Sequence, residues 1–141
     1  MTLYLDTSLV VAGLTREPQT DPVLRWLGAQ DPDELAISDW VITEFSSALS
    51  LKMRARQISV TERSESLAAF AQLCAATFHI LPITTSNFRI AARFADQHAL
   101  GIRAGDALHL AICADYGRTL CTLDGRLGSA GSALGVRTIG L

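Results

Sequence analysis

Two rhythms of apolar and polar positions alternate along the chain. Short apolar runs of strand character occur at Leu3-Tyr4-Leu5, Leu35-Ala36-Ile37, Phe78-His79-Ile80-Leu81, Thr119-Leu120-Cys121-Thr122-Leu123 and Val136 to Ile139. The stretches between them repeat their apolar residues every three or four positions, the spacing of one helix face. They predict helices from Ser8 to about Leu14 and, after a turn marked by Pro18, Asp21 and Pro22, from Val23 to Ala29. A third helix runs from an N-cap at Ser38 to about Arg56, with Val41, Phe45, Ala48 and Leu51 as its inner stripe. A fourth runs from a cap at Thr61 to Thr77, facing inward through Leu67, Phe70, Leu73 and Cys74, and a fifth from Thr84 to His98 through Ile90, Ala91 and Phe94. The chain then breaks at Gly105 and opens a helix to about Tyr116, and a short helix from Arg126 to Leu134 follows. Strands that alternate with helices throughout predict an α/β fold, a parallel sheet with helices on both faces. No repeat or linker divides the 141 residues, so residues 1–141 read as one domain.

Two acidic residues break this pattern. Asp106 opens a helix in which nearly every later position is apolar, and an isolated carboxylate there is costly to desolvate without a cationic partner. The helix N-terminus supplies a partial positive charge, and a metal ion would supply more. Glu44 lies three residues after Val41 and four before Ala48, so it shares their inward face. Local rule-breaking of this kind is expected at functional sites. The competing explanation is a boundary glutamate that bends back to solvent or pairs with an arginine.

Ligands of open parallel sheets bind outside the carboxyl ends of the strands. Asp6 and Asp124 each follow a strand directly, Asp106 starts a helix, and Glu44 lies two turns into a helix that leaves a strand end. All four can therefore gather at one edge. Taken singly, an Asp after a strand is most often a turn residue or cap. Taken together, they are hard oxygen ligands that repel one another unless a divalent cation lies between them. Oxygen-only ligands suit Mg²⁺ or Mn²⁺ and not zinc. Such ions activate water and clamp the oxygens of a phosphodiester.

Composition narrows the partners. Apolar residues make up 49% of the chain, enough for a packed core and against disorder. No run of about 18 apolar residues is present to span a membrane, and the N-terminal residues do not resemble a signal peptide. Three cysteines, Cys74, Cys113 and Cys121, lack metal-ligand spacing and are expected to be reduced core residues of a cytoplasmic protein. The net charge of −2 excludes the electrostatic grip of a basic DNA-binding domain. Eleven of the twelve cations are arginine, with Lys52 the exception. Arginine forks suit phosphate, and codon usage explains the bias equally well. Lys52, Arg54 and Arg56 are read as complementing the dipole of the helix they end, and His79 and His98 as structural or surface residues.

Four segments in order carry a resemblance: Leu5-Asp6-Thr7-Ser8, Ser38-Asp39-Trp40-Val41-Ile42-Thr43-Glu44-Phe45, Arg103-Ala104-Gly105-Asp106-Ala107-Leu108-His109-Leu110-Ala111 and Thr122-Leu123-Asp124-Gly125-Arg126-Leu127. Over essentially its whole length the chain resembles the PIN domain, and within it the VapC-type toxin ribonucleases of type II toxin–antitoxin pairs. The resemblance implies a three-layer fold with a central parallel sheet of about five strands. It implies a Mg²⁺- or Mn²⁺-dependent endoribonuclease, a cognate antitoxin that blocks the site, and a homodimer. By position, Asp6 and Asp106 would be the principal metal ligands, with Glu44 and Asp124 completing the acidic site directly or through water. Ser8 would support the first aspartate, and Thr122 resembles the hydroxyl that precedes the last. Arg103 would meet a phosphate or pair with one of the acids. His109, one turn beyond Asp106, lies near the site by helical geometry, with no sign that it acts as a base. Trp26, Leu27 and Trp40 are candidates for an apolar antitoxin groove, and core packing explains them as readily.

Two rivals frame the test. A haloacid-dehalogenase-like phosphohydrolase needs a second acid two residues after the first, where Ser8 stands, and a catalytic lysine, for which Lys52 is the sole candidate. A catalytically silent protein-binding module of the same fold is the other.

Overall fold

Five short strands form a single sheet in which every neighbouring pair is parallel: β1 (Leu3–Leu5), β2 (Leu35–Ser38), β3 (His79–Leu81), β4 (Thr119–Thr122) and β5 (Thr138–Gly140), in the order β3-β2-β1-β4-β5. The computed structural model describes residues 1–141. In register, Leu3 pairs with Leu35 on one side and Thr119 on the other, so β1 is the central strand.

The helices are α1 (Thr7–Leu14), α2 (Thr20–Gly28), α3 (Asp39–Arg54), α4 (Val60–Ala76), α5 (Thr85–Asp96), α6 (Ala104–Tyr116) and α7 (Gly125–Ala133). From β1 the chain steps through β2 to β3 in one direction, then returns to β4 on the far side of β1 and continues to β5. Right-handed crossovers place the helices of these two journeys on opposite faces. Accordingly α1 packs with α2, α3 and α4, while α5 packs along α6. The expected three layers result. The reversal falls between β1 and β4, the switch point where such sheets bind ligands.

The core is formed by residues such as Tyr4, Leu5, Leu9, Ile37, Phe45, Leu110, Ile112 and Leu120, all fully buried. Phe45 of α3 packs its ring on Phe70 of α4, with centroids 4.2 Å apart. Helix α6 is buried continuously from Ala107 to Cys113, which explains its nearly unbroken apolar sequence. Helix α7 approaches the sheet so closely that a Cβ at Gly131 would lie 2.7 Å from Cγ2 of Thr138, so only glycine fits.

Local details depart from the sequence pattern for identifiable reasons. Helix α2 begins at Thr20, before Pro22, because proline is tolerated in a first turn whose N–H groups have no helical partners. Helix α4 is capped by Ser59 in a reciprocal capping box with Glu62, two residues ahead of the expected Thr61. Helix α3 stops at Arg54 because Arg56 takes a left-handed φ of 56°. The N–H of Gln57 then bonds to the carbonyl of Lys52 and that of Arg56 to Met53, a Schellman closure. Lys52 lies 2.8 Å from Glu17 in an ion pair. Leu51 has the helical spacing of the inner stripe but is 60% exposed, and Leu49 takes the buried position. Ser38 occupies the N-cap position of α3 without capping it, since its hydroxyl is engaged by Tyr4. Helix α5 ends at Asp96, and His98 belongs to a separate 3₁₀ turn.

Candidate functional site

Asp6 is placed by two overlapping local structures. It ends β1 and is the N-cap of α1, with extended backbone, and its Oδ1 accepts the N–H of Leu9 at 3.1 Å. The Ser8 hydroxyl donates to the same oxygen at 2.7 Å, and the Thr122 hydroxyl, from the end of β4, donates to Oδ2. Only 3% of Asp6 is exposed. Burial pushes its pKa up; the hydroxyls of Thr122 and Ser8, the nearby His109 and the Leu9 N–H offset part of that rise.

The hydrogen bonds continue to Asp124. Thr122 Oγ1 accepts the N–H of Asp124 at 2.9 Å, and Ser8 Oγ accepts that of Leu123 at 3.2 Å. Asp124 is exposed and caps α7 through the N–H groups of Arg126 and Leu127. Asp6, Ser8, Thr122 and Asp124 therefore form one linked group across the ends of β1 and β4.

Glu44 belongs to a second group. Its Oε1 accepts two hydrogen bonds, from the Thr7 hydroxyl at 2.6 Å and from His109 Nε2 at 2.6 Å. Burial alone would raise its pKa; the hydrogen bond and charge of His109, together with Thr7, outweigh that and hold the carboxyl below its usual range. Behind His109, Nδ1 meets the Tyr4 hydroxyl at 2.8 Å, which in turn meets Ser38 Oγ at 2.8 Å. The other glutamate oxygen, Oε2, lies over Gly105, where a Cβ would be 3.1 Å from it and 3.3 Å from Trp40 Nε1. That indole N–H is buried without a partner.

Asp106 stands on the same helix, between Gly105 and His109. It is the third residue of α6, and its Oδ2 accepts the N–H of Arg103 at 3.2 Å, half of a capping box. Arg103 is exposed and takes part in no ion pair, so of its two alternatives the pairing with a site acid does not form. Glu44 finds no arginine; histidine and threonine hold one of its oxygens, and 30% of its side chain stays exposed. All four acids thus lie at the carboxyl edge of the sheet, as the sequence order implies, but in two groups. No three carboxylate, imidazole or thiol side chains stand close enough to hold a metal ion.

Four residues that shape this edge were not singled out as site residues by sequence: Thr7, Tyr4, Ser38 and, in its contact with Glu44, His109. For His109 there was a signal, a polar residue inside an otherwise apolar helical run; the structure leaves it 3% exposed. For Tyr4 and Ser38 there was none, since a strand tyrosine and a capping serine look ordinary. The cysteines are free thiols, Cys113 and Cys121 buried; burial and the charge of Asp6 push Cys121 up to about 12, and burial raises Cys113 well above the usual thiol range.

A family model described as the PIN domain matches residues 3–132. The chain belongs to the PIN domain family. Solved structures agree on the fold across nearly its whole length. FitAcB from Neisseria gonorrhoeae has 18% identity and a TM-score of 0.74, covering 99% of this chain and 97% of the other. VapC20 of Mycobacterium tuberculosis, described as a sarcin-ricin loop cleaving toxin, has 19% identity and a TM-score of 0.74, covering 92% and 95%. VapBC2 from Rickettsia felis, solved with a DNA fragment from its promoter, has 14% identity and a TM-score of 0.69, covering 100% and 99%. A search of curated proteins by sequence found no match. No helix of this PIN domain is long and apolar enough to cross a membrane.

Proposed function

We propose that this PIN domain is the toxin of a toxin–antitoxin pair and acts as a metal-dependent endoribonuclease. The observation that carries the proposal is the buried carboxylate of Asp6 at the sheet's switch point, with Glu44, Asp106 and Asp124 along the same edge. Burying a carboxylate without a cationic partner is costly, and a fold retains such a group where function requires it. The cleavage ascribed to VapC20 supports RNA as the substrate.

The chemistry of the donors suits a hard divalent ion, Mg²⁺ or Mn²⁺, and the two groups of acids would have to close on it to bind it. The donor set consists of carboxylates alone, and the hydrogen bonds given above leave Oε2 of Glu44 and Oδ1 of Asp106 free. Asp6 and Asp106 would hold the ion, with Glu44 and Asp124 completing the site directly or through water. Bound there, it supplies an acidified water and a counter-charge for phosphoryl oxygens. The chain's own contribution is orientation: Ser8 and Thr122 fix both oxygens of Asp6, and Thr7 and His109 fix Glu44. Arg103, exposed at the start of α6 and free of ion pairs, is placed to meet a phosphate.

An apolar cavity of about 330 Å³, lined by Val10, Leu14, Leu24, Leu27, Leu73 and Phe78 among others, supports an antitoxin seat between α1, α2 and α4. Leu27 lines it, as anticipated; Trp26 does not. Trp40 lines a second cavity, of about 280 Å³, with Phe88 and the alanines of α5, which suits contact with a second copy of the chain.

The test is cleavage of RNA by the purified protein with Mn²⁺ or Mg²⁺. The expected products carry a 5′-phosphate and a 3′-hydroxyl, because water is the nucleophile. A 2′,3′-cyclic phosphate would reject this mechanism, and no cleavage with either ion would leave a protein-binding module. Asp106→Asn should lower the rate ~10³-fold, the scale of several kcal/mol of transition-state stabilisation. Gly105→Ala should reduce it ~10–100-fold by pressing on Glu44 Oε2 and Trp40, since sub-ångström misplacement is costly to catalysis.

A further inference from the structure

We infer that His109 is a positioning residue for Glu44, held in place by Tyr4 and Ser38, and that this buried chain fixes which glutamate oxygen is presented at the α6 edge. The inference rests on the nuclease reading for its consequence, but its geometric content stands apart from it. Ser38 and Tyr4 are 0% exposed and His109 3%. Three polar side chains at this depth are costly unless every donor and acceptor is matched. They are matched in a single file, Ser38 Oγ to Tyr4 hydroxyl to His109 Nδ1, and then His109 Nε2 to Glu44 Oε1, at 2.8, 2.8 and 2.6 Å. Glu44 is the only member of this file that reaches solvent, with 30% of its side chain exposed.

The direction of the bonds gives the file its use. A carboxylate oxygen only accepts, so His109 must donate through Nε2, and its other nitrogen is left for Tyr4. The file is matched in either state of the ring: a neutral imidazole accepts from Tyr4, which accepts from Ser38, and an imidazolium donates to Tyr4, which donates to Ser38. The ring is then locked at both nitrogens and cannot flip. Thr7 donates to the same oxygen of Glu44 from the opposite side of the fold, at the start of α1. Two donors on Oε1 leave Oε2 turned toward Gly105, whose missing side chain gives it room, one residue from Asp106. A purely structural histidine in an apolar helix would not need a tyrosine and a serine behind it or a partly exposed acid in front.

The test uses three variants of the full chain: His109→Leu, His109→Gln and Tyr4→Phe. Glutamine keeps a donor close to the Nε2 position; leucine has none; phenylalanine removes one hydroxyl and preserves shape. Mn²⁺ affinity is read by electron paramagnetic resonance without RNA, and kcat and KM with it. Groups that orient metal ligands typically cost 10–100-fold in affinity or activity when removed. His109→Leu is expected to weaken Mn²⁺ binding at least ~10-fold and lower kcat with little change in KM, His109→Gln to recover most of both, and Tyr4→Phe to fall between them. Crystals of Tyr4→Phe and His109→Leu without metal are expected to show Glu44 displaced from its present rotamer. Should His109→Leu fail to fold, Tyr4→Phe decides alone. Glu44 unmoved, or His109→Leu and Tyr4→Phe equal to wild type in Mn²⁺ binding, overturns the inference. A wild-type protein that neither binds Mn²⁺ nor cuts RNA overturns the nuclease reading instead, and the rotamer of Glu44 still decides the positioning claim.

Discussion

Asp6→Asn is expected to yield a protein that melts at a higher temperature than the wild type and lacks the RNA cleavage proposed for it. Both effects come from one carboxylate. Without metal, the wild type must keep Asp6 buried among hydroxyls, and burial holds its folded pKa above the ordinary 3.8. A raised folded pKa means that the group's contribution is fully present below the unfolded pKa and is lost as pH rises toward the folded one. At neutral pH the folded wild type therefore bears a cost that asparagine does not. Asparagine retains an oxygen for Ser8 and Leu9, and Thr122 can rotate to accept. A gain of about 1 kcal/mol corresponds to ~3–4 °C for a domain of this size. Melting curves in chelator should show the gap between variant and wild type at pH 7 and see it close below about pH 4, where Asp6 is protonated in both states. A variant that melts lower at every pH would mean that the buried charge is compensated by groups other than those described. On the proposed function, loss of cleavage, of ~10³-fold or more, follows from removing a carboxylate that would hold the ion.

Phe45→Ala has the largest expected effect on stability. Phe45 is fully buried, stacks on Phe70 and joins α3 to α4. Truncating such a side chain costs about 3–5 kcal/mol, from lost burial and the cavity left behind. This corresponds to a fall of ~10–20 °C, or a much lower urea midpoint at an unchanged m-value. Because Glu44 is the preceding residue on α3, the proposed RNA cleavage should also be slower in the surviving folded protein. A loss below ~1.5 kcal/mol would show that α3 and α4 can close over the gap.

These two residues also mark what could be read from sequence. Phe45 declares itself through helical spacing, and Asp6 through its place after a strand. Glu44 was visible because it occupies an apolar stripe. Leu51 satisfied the same spacing and is exposed, since periodicity gives a face but not whether a neighbour covers all of it. Ser38 had the chemistry and place of a cap, yet a tertiary partner took its hydroxyl. His109 shows the limit most clearly. Its role is written in three other segments, around Tyr4, Ser38 and Glu44, and no local pattern connects them. The order of the strands is what brings those segments together. The two-group arrangement of the acids was equally hidden, because each aspartate serves its own helix first.

That last arrangement has a mechanical consequence. Asp6, Asp106 and Asp124 each tie down the opening turn of a different helix, α1, α6 and α7. Any ion that drew them inward would pull on the ends of three rods anchored on both sides of the sheet. Occupancy would be felt as tension across the layers, and the ligand shell would resist lengthening any aspartate to glutamate, whose extra carbon slackens the tether at its root.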